Sequence, residues 1–232
     1  MESMLSVFSR RPGRARLIER AAKQLGWDAR SRLLEFGCGY GDAAADLVFG
    51  LGCRVEGLEL DAAVAAEAKA RHSGVHGLKI TCGDVCAPPY PDASFTAAYG
   101  EAAFSVLPDK AAALAGLCRV IIGGGELVIN DFALKSEPET RDNVRGVPCF
   151  EGVQSLETYC ALLDAAGFDV LSAEEEPAEL ALIAMWCARE YGVKASELGE
   201  YLAKSFGGGG EGFFSTAKMT YCQIISRKRE ER

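Results

Sequence analysis

A parallel, doubly wound α/β sheet with helices on both faces is the fold class this sequence predicts. Three observations carry that expectation. Short apolar runs alternate with helical patterns along most of the chain. Gly37, Gly39 and Gly41 crowd into "EFGCGYGD" between a strand pattern and a helix pattern. Acids or a tyrosine (Glu35, Glu59, Asp84, Tyr99, Asp131) close successive apolar runs, where ligands of such sheets bind.

The elements follow in order. Residues 15–26 have the spacing of an amphipathic helix, and Arg32–Phe36 that of a short buried strand. A helix is expected over about 42–50, a strand over 53–60, and a helix from Asp61, placed to cap it, to Ser73. Strands follow at 78–82 and 95–99, then a helix over about 110–121 that Gly123-Gly124-Gly125 ends, then a strand at 126–131.

Composition limits the function classes. The chain has 232 residues, 49% of them hydrophobic, enough for one domain with a sizeable core. A net charge of −8 argues against nucleic acid as partner. Two basic runs, residues 10–16 and 227–229, are expected to be solvated termini. With no 18-residue apolar stretch and no signal-type leader, no membrane span is expected, and a cytoplasmic location is. Nine cysteines, several inside expected strands and helices, fit reduced, small buried thiols. Cys82 and Cys86 lack two further nearby ligands, so no metal is expected. His72 and His76 are expected on the surface, away from the strand ends.

The glycine turn departs from a dinucleotide fingerprint, because its third glycine comes one residue early. Asp42 and Glu35 would both oppose a pyrophosphate and suit a cationic ligand, such as one with a sulfonium and an ammonium group. Glu59, at the end of the second strand, can accept both hydroxyls of a ribose.

With these residues on the page, the chain resembles the class I S-adenosylmethionine-dependent methyltransferases, in the small-molecule group that includes quinone-biosynthesis and arsenite methyltransferases. The likeness runs from about Arg32 to Arg227 through "LLEFGCGYG", "VEGLELD", "TCGDV", "SFTAAYGE", "LCRVIIGGGELVINDF", "AAGFDVLSAEE" and "KMTYCQIISRK". It implies a Rossmann-like sheet of seven strands, mostly parallel with an antiparallel last strand, and a helical cover over the carboxyl edge. It divides one 1–232 domain into an N-terminal cover (1–31), a cofactor core (32–132), substrate-cover insertions (133–155 and 174–216) and a last strand (217–227). S-adenosylmethionine is the implied cofactor and S-adenosylhomocysteine its product. The implied binding residues are Glu35, Phe36, Gly37, Cys38, Gly39 and Gly41 from the first motif, and Glu59 and Leu60 from the second. Gly83, Asp84, Val85 and Tyr99 complete the set. Thr96 departs from the family, which usually has Asp there.

The implied activity is methyl transfer to a small molecule, covered by the N-terminal segment and two insertions. Phe104, Val106, Phe150, Trp186, Phe206, Phe213 and Phe214 could line a pocket or belong to the core. Two helical patterns (about 178–190 and 194–205) and Gly207–Gly210 suggest a helical cover with a flexible lid or hairpin. Glu101 and Asp131 are candidates for an acid–base or orienting role, against the alternative of carboxylates that order backbone. The likeness to arsenite methyltransferases also raises Cys149 and Cys222 as thiolates for a soft metalloid, although "GYGDAAADL" lacks further cysteines expected there. A non-catalytic cofactor-binding module fits the same motifs. The acceptor and the oligomeric state are not legible.

Overall fold

The structure is a computed structural model that describes residues 4–136, 150–202, 204–205 and 218–230. Seven strands form one sheet: β1 (Arg32–Phe36), β2 (Arg54–Glu59), β3 (Leu78–Cys82), β4 (Phe95–Glu101), β5 (Ile121–Ser136), β6 (Phe168–Glu175) and β7 (Lys218–Lys228). Their order is β3-β2-β1-β4-β5-β7-β6. The strands from β3 to β5 pair in parallel, and β7 runs antiparallel to both neighbours.

Adjacent residues of one strand point to opposite faces, so paired apolar residues build two cores. Leu34, Ala98, Leu127 and Ile224 face α5 (Lys110–Val120) and α6 (Leu156–Ala165). Their sequence neighbours Leu33, Ala97, Val128 and Ile225 face α2 (Arg16–Leu25) and α3 (Asp42–Leu51). On a third cluster, α4 (Ala62–Arg71) packs Ala65 and Ala68 against Ile80. A cover of α1 (Met4–Ser9), α7 (Pro177–Tyr191) and α8 (Leu198–Leu202) closes on Phe132, Leu134 and Tyr221.

Local chemistry explains most boundaries. Asp61 caps α4 as expected, accepting from the amides of Ala63 and Val64, and Asp109 and Ser155 do the same for α5 and α6. The triple glycine sits where β5 breaks register against β4, between the pairs Phe95–Ile121 and Ala97–Glu126. Thr96 is accommodated by two bonds across the strand pair: its Oγ1 accepts from Arg32 N at 3.0 Å and donates to Arg32 O at 3.1 Å.

The first basic run corrects the expectation of a solvated terminus, whereas the second keeps Arg227 and Arg229 exposed. Arg10 pairs with Glu190, Arg14 with Asp46, and Arg16 with Glu179, while Arg11 is only 4% exposed. At the other end Arg227 pairs with Glu126 and Arg229 with Asp164 and Asp169. The second expected cover helix is shorter than its pattern, a 3-10 turn (Ala195–Glu197) leading into α8. Gly207–Gly210 lies outside the described residues. No helix among the described residues is long and apolar enough to cross a membrane.

Candidate functional site

The glycine turn makes a cradle that side chains would fill. Gly37, Gly39 and Gly41 have φ of 63°, 53° and 78°, a left-handed region that favours glycine. A Cβ on Gly37 would stand 2.6 Å from the Cβ of Ala103, and one on Gly39 would stand 2.9 Å from Leu5. Gly100 is fixed from the other side, since a Cβ there would enter the Phe36 ring.

Two cavities open along the carboxyl ends of β1, β2 and β4. The smaller, about 70 Å3, is bounded by Glu35, Cys38, Gly39, Asp42, Arg11 and Arg14. The larger, about 320 Å3, is bounded by Glu59, Leu60, Gly83, Asp84, Val85 and Val106. Leu5, Phe8, Gly37, Glu101 and Ala102 line both.

In the smaller cavity Glu35 is 2% exposed, and its Oε2 has no hydrogen-bond partner among the described residues. Burial, then the charge of Glu101, pushes its carboxyl well above the usual carboxylate range, with the Tyr99 hydroxyl opposing that. A buried acid with one oxygen unpartnered beside a glycine cradle fits an incoming ammonium group, which would supply a donor to that oxygen and favour the charged form. In the larger cavity the Glu59 carboxylate accepts from Gly39 N at 2.9 Å through Oε2 and from Asp61 N at 3.0 Å through Oε1. These bonds point it across the turn, where a ribose can share its remaining lone pairs. Asp84 is held at the rim by Cys86 N, 2.8 Å from Oδ1.

The sequence-derived residues therefore divide. Glu35, Gly37, Cys38, Gly39, Glu59, Leu60, Gly83, Asp84, Val85 and Glu101 converge on the cavities. Gly41 acts one step back, as the left-handed cap of α3. Phe36 and Tyr99 do not line either cavity: the Phe36 ring is buried on the α5 face, and Tyr99 on the α2 face beside Trp27. Asp131 is likewise no candidate for contact with an acceptor. Fully buried, it accepts from the amides of Phe104, Ser105 and Phe132, so it orders the loop after β4. Cys222 is a core thiol between the sheet and α6, with its titration raised first by burial. Cys149, and Phe206, Phe213 and Phe214, lie outside the described residues. Phe104 belongs to the core, whereas Phe150 lines a pocket under the cover.

Two roles were missed. His72 is not a free surface residue: its Nε2 lies 2.9 Å from Tyr40 O and 3.2 Å from Asp42, which also pairs with Arg71. Asp42 is thus held between Arg71 and His72. The larger miss is an ionic cluster around Glu101. Its Oε1 accepts from Asn130 Nδ2, and its Oε2 lies 3.4 Å from the Tyr221 hydroxyl and 3.8 Å from Arg11. Arg11 also stands 3.2 Å from Glu179 on α7. Gln223 joins Asn130 to Arg20 and to Leu17 O. Burial, partly offset by Arg11, pushes the Glu101 carboxyl up to about 8.

Beyond Phe8 a third cavity of about 600 Å3 lies under the cover, walled by Phe132, Phe150, Ile183, Cys187, Leu198 and Met219. It shares Met4 and Phe8 with the larger cofactor-edge cavity.

Comparison with known proteins gives a domain family, relatives and structures of the same fold. A methyltransferase domain family matches residues 34–129. The 27-O-demethylrifamycin SV methyltransferase of Amycolatopsis mediterranei is 30% identical over 171 residues, 69% of this chain and 62% of that protein. Methyltransferase GfsG of Streptomyces halstedii is 28% identical over 167 residues, 67% of this chain and 59% of that protein. The chain thus spans about three fifths of the length of these curated relatives. Among solved structures, the cyclase SpnF superposes with a TM-score of 0.74 at 24% identity, covering 94% of this chain and 81% of its own. Geranyl diphosphate C-methyltransferase of Streptomyces coelicolor A3(2) gives 0.71 at 15% identity, covering 92% and 78%. These two likenesses concern the fold.

Proposed function

Since the chain carries a class I S-adenosylmethionine-dependent methyltransferase domain, we propose that it transfers the cofactor's methyl group to a small, largely apolar acceptor seated under the helical cover. The observation that carries this reading is the 600 Å3 largely apolar cavity that adjoins the cofactor-edge cavity, with Met4 and Phe8 as their shared wall. A cavity left open beside the cofactor supports transfer over a binding-only role, in which side chains would fill that space.

In this reading Glu35 holds the cofactor's ammonium group, Glu59 its ribose hydroxyls, and Asp84 with the Val85 backbone its adenine. The bound cofactor supplies an electrophilic methyl group. The protein contributes mainly alignment of the acceptor with that carbon and exclusion of water. Phe8, Phe132 and Phe150 supply apolar contact area for an acceptor.

The relative named for 27-O-demethylrifamycin SV points to an oxygen as the acceptor atom to try first. The test is incubation with methyl-labelled S-adenosylmethionine and a panel of apolar alcohols and phenols, read by mass spectrometry. Label in an organic product supports the reading. Tight S-adenosylhomocysteine binding without transfer to any panel member or to arsenite supports the binding module. Transfer to arsenite alone supports the metalloid reading.

A further inference from the structure

The two cofactor-edge cavities meet at one titratable side chain. Of the five residues common to both, four are apolar or glycine (Leu5, Phe8, Gly37 and Ala102), and the fifth is Glu101. The cavity with Glu35 suits the amino-acid end of S-adenosylmethionine and the cavity with Glu59 its adenosine end. Sulfur is the atom that covalently joins those ends, so it must cross the junction that Glu101 lines. We infer that Glu101 is the carboxylate that faces the sulfonium, loses its proton when the cofactor binds, and takes the acceptor's proton as the methyl group departs. This rests on the cofactor reading above and adds a proton-coupled role and a proton-bearing acceptor to it.

The groups that face Glu101 make such a response possible. Arg11 from the N-terminal segment favours the charged form, while Glu179 on α7, Asp131 on β5 and Glu35 on β1 disfavour it. Tyr221 on β7 and Asn130 on β5 hold the two oxygens in place. Without ligand, burial leaves the carboxyl titrating near 8, so it is mostly protonated at neutral pH. A sulfonium beside it adds a second cation and favours the carboxylate. In the transfer step a bond forms between the acceptor oxygen and the methyl carbon, and the carbon–sulfur bond breaks with its electron pair going to sulfur. The hydroxyl proton passes to Glu101. The sulfonium charge and the carboxylate charge vanish together, leaving neutral S-adenosylhomocysteine beside a protonated acid.

The test needs no acceptor. Calorimetric titration of the wild-type protein at pH 7 with S-adenosylmethionine and with S-adenosylhomocysteine, in buffers of different ionisation enthalpy, counts protons released. The expected result is up to ~1 proton more for the sulfonium ligand, because only it ionises Glu101. Between pH 6 and 8, S-adenosylmethionine affinity should rise by up to about tenfold per pH unit more in wild type than in Glu101→Gln. The ligand's own ammonium and the Glu35 that faces it respond to either ligand, so the difference between the two ligands, lost in Glu101→Gln, belongs to Glu101. Equal proton release for the two ligands, or an unchanged pH slope in a folded Glu101→Gln, overturns the inference while leaving cofactor binding intact. Binding of neither ligand overturns the cofactor reading itself, and this inference with it.

Discussion

The glycine-turn half of the site and the cover half are held by different kinds of interaction. Around Gly37, Gly39 and Glu59 the holding groups are backbone amides and carboxylates within a few residues or one strand of each other. On the cover side, Arg11, Arg16 and Arg20 reach from the N-terminal segment to Glu176, Glu179 and Gln223. The first arrangement is short-range and rigid before any ligand arrives. The second joins distant parts of the chain through one buried arginine, Arg11, and two half-exposed ones, and the buried member depends on its partners being present. The difference teaches that cofactor affinity and cover integrity can be broken separately.

Arg11→Ala should have the largest effect. It removes the buried cation facing Glu101 and leaves Glu179 with Arg16 alone, and breaking a buried pair typically costs ~3–5 kcal/mol. Denaturant unfolding checks this, and a loss below about 1 kcal/mol would mean that water enters the cluster freely. Glu59→Ala should leave the fold intact, although it removes the two bonds from the Gly39 and Asp61 amides. Losing charge-assisted bonds to a ribose, each ~1.5–3 kcal/mol, should weaken S-adenosylhomocysteine binding at least about tenfold. Wild-type affinity for that variant would remove Glu59 from the site.

The pH dependence sharpens the contrast. Glu101 titrates near 8 when folded, above its ordinary value of 4.5, so the native state holds the extra proton between those limits. Stability should therefore fall as pH rises from about 4.5 through 8, and Glu101→Gln should flatten that slope. Thermal melts across this range, compared between the two proteins, give the answer. The smallest effect belongs to Cys222→Ala. Its thiol is in the α6-facing core, so cofactor affinity should stay within about twofold while stability drops by ~1 kcal/mol. An affinity loss of tenfold would tie this core position to the site after all.

The same contrast explains what the sequence could disclose. Leu33 and Leu34, or Ala97 and Ala98, reveal a buried strand because each apolar residue has its own face to fill. The left-handed glycines and the Asp61 cap are legible because their physical causes lie within a few residues. Residues 10–16 were not legible in this way. A run of arginines looks solvated until its acids are known, and those acids lie on β4, α3 and α7. Asp131 and Tyr99 show a second limit. Both close apolar runs in the sequence, but one residue of register decides whether a side chain meets the cavity, a loop backbone or the opposite core. His72 braces the turn only because α4 returns it there, which no local pattern discloses.

The pairing of β7 with β5 has a consequence for biosynthesis. Tyr221 and Gln223, which hold Glu101 and Asn130, come on β7, long after β5 in the chain, while Arg11 precedes β1. A nascent polypeptide can pair β1 to β5 before β7 has left the ribosomal tunnel. Until β7 emerges, the buried carboxyl has its arginine available but neither its tyrosine nor the glutamine that steadies its asparagine. Cofactor cradle and proton acceptor thus mature at different moments of translation, the second only after β7 slots between its two neighbours.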